Sequence, residues 1–79
     1  MKQSFTVGGE EISLSREEVE RKLKAVEPEE IRKVFVEVSG KRFPIKQALV
    51  VSAGLMRSGF TTQDAIRVFR KLGFKLGEI

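Results

Sequence analysis

Apolar positions along the chain switch between a period of two and a helical period, and glycine or proline separates the blocks. Ser4–Val7 alternates, with Phe5 and Val7 on one face. Gly8-Gly9 is a two-residue turn signal, and Glu10–Leu14 returns with Ile12 and Leu14 on one face, which predicts a β-hairpin. Ser15 then stands as a helix N-cap with Glu18 three residues on, the pattern of a capping box. Val19, Leu23 and Val26 recur at i, i+4 and i+7, so the spacing predicts an amphipathic helix over Arg16–Val26. Its outer residues Glu17, Glu20, Arg21 and Lys24 read as a solvated face. Glu27-Pro28 ends this helix, and Pro28 with Glu29 and Glu30 could open one further short turn reaching Lys33.

Val34–Val38 alternates Val34, Val36 and Val38 against Phe35 and Glu37, the strongest strand signal in the chain. Ser39-Gly40 is a turn, and Lys41–Phe43 a short returning strand cut off at Pro44. Pro44 suits the first turn of a helix whose inward stripe is Ile45, Ala48, Leu49 and Ser52 or Ala53, closed by Gly54 with Leu55 as the contact behind it. Met56–Phe60 reads as a loop. Thr61 caps a last helix over Thr62–Leu72, with Asp64 as its capping partner. Ala65, Ile66, Phe69 and Leu72 form the predicted buried face of that helix, and Gln63, Arg67, Arg70 and Lys71 its outer face. Gly73 closes it, and Phe74 can fold back onto the last turn. Met1–Gln3 is expected to fray, and Lys75–Ile79 either fray or add an edge strand.

The sum is a small α+β single domain, residues 1–79, with one or two short β-hairpins and three helices. Its predicted core holds Phe5, Leu14, Val19, Leu23, Val34, Val36, Leu49, Ile66, Phe69 and Leu72. The pattern leaves open whether Val34–Phe43 joins the N-terminal hairpin in one sheet.

Composition narrows the functional classes. With 79 residues, 41% hydrophobic and 33% charged, the chain reads as a folded domain with little room for a deep pocket. It contains no Cys and no His, which removes disulfide scaffolds, thiolate or imidazole metal sites and Ser-His-Asp chemistry. The adjacent pairs Glu10/Glu11, Glu17/Glu18 and Glu29/Glu30 point to different sides of a strand or helix and cannot form an acid–base dyad. A non-enzymatic protein without cofactor or metal is therefore expected. No apolar run approaches the roughly 20 residues of a membrane span and no secretory signal opens the chain, so the expected location is cytoplasmic, away from membranes.

The formal charge of +4 hides an asymmetry. Residues 1–39 carry seven Lys/Arg against nine Glu, a balance of −2, whereas residues 40–79 carry eight against Asp64 and Glu78, a balance of +6. A basic half on a small domain attracts polyanions, and nucleic acid is the commonest.

Three constellations give that charge a shape. The helices Ile45–Ala53 and Thr62–Leu72, with a glycine between them, resemble a helix-turn-helix, although Gly54 to Thr61 exceeds its usual 3–4-residue turn. Gln63 would stand near the N-terminus of the second helix, with Arg67, Arg70 and Lys71 on the same side. Gln pairs with adenine and Arg with guanine in the major groove. A plain helical hairpin with a basic outer face has the same pattern. In the second, Lys41, Arg42 and Lys46 surround a turn, Phe43 and Pro44, and could neutralise phosphates. The alternative there is a turn into a proline-initiated helix with Phe43 in the core. In the third, within Met56–Thr62, the Ser58, Thr61 and Thr62 hydroxyls and the loop amides could bind a phosphate at the helix N-terminus, or Thr61 could simply cap its helix.

The string GKRFPIKQALVVSAGLMRSGFTTQDAIRVFRKLGF combines an aromatic-Pro-x-Lys step, a small-residue helix ending in Gly-Leu, a Phe-Thr cap and a closing Leu-Gly-Phe. Over about Val34–Phe74 it resembles the sulfur-binding domains of modification-dependent restriction endonucleases, which bind phosphorothioate-modified DNA. A similar pattern occurs in short bacterial proteins. The resemblance implies that Phe43-Pro44, with Phe in place of the family's Tyr, helps form an apolar cup over a backbone sulfur, and that Lys46 sits beside it as a phosphate partner.

The expectation is therefore a small DNA-binding domain, for duplex rather than single strands, with Lys41, Arg42, Phe43, Pro44, Lys46, Arg57, Thr61, Gln63, Arg67, Arg70 and Lys71 as candidate contacts. The alternative is a protein-interaction or accessory module, antitoxin-like or part of a defence system. It would dock a protein partner or a second copy through a sheet edge or through Leu49-Val50-Val51.

Overall fold

A computed structural model describes residues 2–79; the expectation for Met1 lies outside them. The order is β1 (Gln3–Val7), β2 (Glu10–Leu14), α1 (Arg16–Leu23), β3 (Val34–Val38), β4 (Lys41–Pro44), α2 (Ile45–Ala53), a 3₁₀ turn (Arg57–Gly59), α3 (Thr62–Lys71) and β5 (Lys75–Glu78). The architecture is the α+β arrangement that the pattern predicts. The two hairpins do not merge: β1 and β2 form one antiparallel sheet, and β4-β3-β5 form another. Gln3 belongs to β1 and Lys75–Glu78 is an ordered edge strand paired with β3, so neither end of the pattern frays there.

Both hairpin turns rest on left-handed backbone. Gly8 and Gly9 have φ of 56° and 82°, and Ser39 and Gly40 have 51° and 82°, the signs that a tight two-residue turn between twisted strands demands. Gly8 also sits against the 3₁₀ turn: a Cβ there would lie 1.7 Å from the Gly59 carbonyl oxygen. The tip of the first hairpin is thereby locked onto the connection between α2 and α3.

The core gathers residues from every helix and both sheets, with Val19, Val36, Phe43, Ala48, Leu49, Ala65, Val68 and Phe69 all at 0% exposure. Val34 and Ile66, predicted as core, are only half-buried. In α3 the inward face is Ala65, Val68, Phe69 and Leu72, a cleaner i, i+3, i+4, i+7 series that leaves Ile66 at the rim. Val50 and Val51 are also half-buried and pack against the core.

Three local expectations are corrected. First, α1 stops at Leu23 and not Val26, and no helical turn follows Pro28. The residue before a proline disfavours helix, and the buried side chain of Gln47 provides other partners: its Oε1 accepts from the Glu29 N–H at 2.8 Å and its Nε2 donates to the Glu27 carbonyl at 3.0 Å. Residues 27–33 become a strap pinned to α2. Second, Pro44 is the last residue of β4 and the N-cap of α2, with an extended ψ of 134°, and not a first-turn helical residue. Third, the capping box of α1 is half made. Ser15 Oγ accepts from the Glu18 N–H at 3.1 Å, but the Glu18 carboxylate turns to Lys22 at 3.3 Å and Lys2 at 3.6 Å. The Thr61–Asp64 box of α3 is complete, with both bonds at 3.2 Å.

Two cations on α1 finish its neighbours. The last turn of α2 has no basic residue, and Lys22 donates to the Ser52 carbonyl there at 3.1 Å. Arg16 donates to the Gly73 carbonyl at 2.7 Å and lies 4.4 Å above the ring of Phe74, which itself meets Phe69 edge-on at 5.9 Å. Free carbonyls at helix ends thus find positive charge.

The Lys22 hydrogen bond, aided by Lys2, holds the Glu18 carboxyl below the usual carboxylate range against the opposing effect of burial. Its contribution to stability is complete above the ordinary Glu value of about 4 and is lost as pH falls through the lowered folded value. Glu18→Gln is expected to flatten the fall in thermal midpoint between about pH 5 and pH 3. An acid limb as steep as the parent's would assign the fall to other groups.

Candidate nucleic-acid interface

The sequence-predicted residues divide among three surfaces and the core. On the outer face of α3, Gln63, Arg67, Arg70 and Lys71 lie along one side, around the half-buried Ile66, and line a shallow groove. All four are exposed. Arg67 is tethered: its Nη2 donates to the Thr6 carbonyl at 2.6 Å and to Asp64 at 3.2 Å. Asp64 is in turn kept below the usual carboxylate range, chiefly by the hydrogen bond from the Thr61 N–H and then by the Arg67 charge, with burial opposing. Arg70 and Lys71 form no ion pair among the described residues.

The second surface is a cleft of about 560 Å³ beneath the 27–33 strap. Pro44, Lys46, Arg57 and Thr62 line it from the α2 and α3 side, and Glu29, Glu30, Arg32 and Lys33 from the strap. Arg57 pairs with Glu29 at 2.9 Å, and the Lys46 ammonium stands 5.1 Å from the centre of the Phe60 ring. Sequence reasoning missed Arg32 and Lys33, because they belong to the half of the chain with the acidic balance. Only the course of the strap carries them to Lys46. Thr62 lines the cleft, whereas Gln63, the next residue, lines the α3 groove.

Lys41 and Arg42 make a third, separate surface. Lys41 Nζ donates to the Lys24 carbonyl at 3.4 Å. Arg42 stacks 4.7 Å above the Phe35 ring on the outer face of the three-stranded sheet and approaches Glu37 at 3.7 Å. Thr61 is occupied by its capping box, with the hydroxyl accepting from Asp64 N–H.

Phe43 is corrected outright as a contact residue. It is 0% exposed, on the inner face of β4 opposite Val36. Strand alternation turns Arg42 and Pro44 outward and Phe43 into the core. The ring cannot reach a ligand, and Pro44 is the only member of the aromatic-Pro step with surface left.

A small two-sheet, three-helix α+β domain with cationic surfaces is the class that these features define. No helix among the described residues is long and apolar enough to cross a membrane. The family described as SCO5918-like matches residues 10–78, and the chain belongs to that family. No curated protein and no solved structure matches it significantly.

Proposed function

We propose that the protein is a non-enzymatic DNA-binding domain whose basic C-terminal half contacts the phosphate backbone of duplex DNA. The observation that carries this reading is the outer face of α3, where Arg70 and Lys71 stand exposed, with no carboxylate partner among the described residues, beside Gln63 and the tethered Arg67. Cations not already matched by carboxylates are those that release counterions from DNA. Gln63, one turn or less from the start of α3, is the residue best suited to reach a base edge, and Arg67 reaches only as far as its hold on Thr6 permits. Lys46 adds positive charge from the cleft, where Arg57 would contribute by exchanging its Glu29 partner for phosphate, and Lys41 and Arg42 would act from their separate surface.

Fluorescence anisotropy on plain duplex, phosphorothioate duplex and single-stranded DNA, across several salt concentrations, tests the proposal. Neutralising six phosphates gives a slope of log K against log salt of about −5. Arg70→Gln with Lys71→Gln should weaken binding about tenfold or more and reduce the slope by about 2. Binding that ignores salt, or that the double substitution leaves intact, removes the proposal. Tighter binding of the phosphorothioate strand would support the sulfur preference that the resemblance implies, carried by Pro44 and Lys46 without the Phe43 ring.

A further inference from the structure

The cleft beneath the strap differs in shape and charge from the α3 face. It is concave, and its volume of about 560 Å³ falls within the range of small-ligand sites. Arg32, Lys33, Lys46 and Arg57 face it against Glu29 and Glu30, four cations to two carboxylates. Its walls are held in place. Gln47, itself only 7% exposed, pins the strap at both Glu27 and Glu29. Lys46 is steadied against the Phe60 ring, and Arg57 by a carboxylate that already occupies an anion position, since Glu29 Oε1 meets its Nη2 at 2.9 Å. The surplus of two positive charges matches a phosphate monoester, which carries about −1.5 to −2 at neutral pH, better than the single charge of an internal phosphodiester.

We infer that this cleft is a binding site for a phosphate monoester, with Lys46 and Arg57 as its principal ligands and Arg32 and Lys33 as its charged rim. The group could come from a phosphorylated end of nucleic acid or from a free small phosphate. In the first case the inference rests on the DNA-binding reading and deepens it; in the second it stands alone.

The test is an NMR titration of the full chain with inorganic phosphate at constant ionic strength, balanced with sodium chloride. Saturating shifts are expected at the backbone amides of Lys46, Gln47 and Arg57, with little change at Arg70 and Lys71. Lys46→Gln and Arg57→Gln should each weaken the apparent affinity about tenfold, the loss expected for one charge-assisted hydrogen bond, while Lys75→Gln leaves it unchanged. Thermal midpoints of the variants check that each remains folded. Shifts that fail to saturate by about 20 mM, or that survive both substitutions, overturn the inference. A second arm compares 5′-phosphorylated with 5′-hydroxyl duplex. Preference for the phosphorylated end that Arg57→Gln abolishes identifies nucleic acid as the source. Equal binding, with inorganic phosphate still saturating, identifies a free phosphate ester. Salt-sensitive duplex binding without phosphate saturation sinks this inference alone, and phosphate saturation without duplex binding sinks the DNA reading alone.

Discussion

Replacing Phe43 with alanine is expected to unfold much of the protein at moderate temperature. The ring has no exposure and joins β4 to the cluster that includes Val36, Ala48 and Phe69. Truncating a buried Phe to Ala costs about 3–5 kcal/mol, and a domain of this size holds roughly 4–12 kcal/mol in total. The thermal midpoint should fall by about 15 °C or more. Phe43→Leu keeps most of the apolar volume and should cost about 1–1.5 kcal/mol. Its duplex and phosphorothioate affinities should equal those of the parent, measured where both are folded. A stable Phe43→Ala protein with altered ligand preference would put the ring back at the surface.

The second large effect is expected at the tip of the first hairpin. At Gly8 a methyl group meets two obstacles. The backbone φ of 56° is unfavourable for any L side chain, and the new carbon would lie 1.7 Å from the Gly59 carbonyl oxygen. At Gly9 only the first obstacle exists, since nothing lies within 4 Å of the added carbon. Gly9→Ala should therefore cost about 1–2 kcal/mol, the left-handed penalty alone. Gly8→Ala should cost at least about 2 kcal/mol more, because one of two backbone segments must move. Urea unfolding of the pair measures the difference. Equal losses would mean that the hairpin tip does not rest on the Arg57–Gly59 turn.

What could be read from the sequence follows the range of the interaction that decides it. The helix at Thr62 was legible because Thr61 and Asp64 settle their capping locally, and the end at Gly73 because a left-handed glycine and Phe74 close it within one turn. The strap over residues 27–33 was not. Its course depends on the amide of Gln47, some twenty residues away, and no local pattern announces a buried glutamine on a helix. The edge strand was undecided for a similar reason. Phe35 lies directly over Gly77, where a Cβ would come within 2.4 Å of the ring, and neither residue reveals the other in sequence. Among the candidate contacts, strand alternation alone could have separated Arg42 and Pro44 from Phe43. Arg67 was legible as an outer-face residue, but its tether to Thr6 requires β1 to lie beside α3.

The two cations of α1 also bear on how the molecule opens. Lys22 closes the end of α2 and Arg16 the end of α3, so one eight-residue helix holds a carbonyl at the terminus of each of the other two. Detaching α1 would release both ends in a single event. Amide protons near Gly54 and near Gly73 should then exchange with solvent at a common rate, although α2 and α3 reach those ends by different routes. A common rate would define the three helices as one cooperative opening unit with α1 as its latch, and separate rates would mean that the two ends open independently of α1.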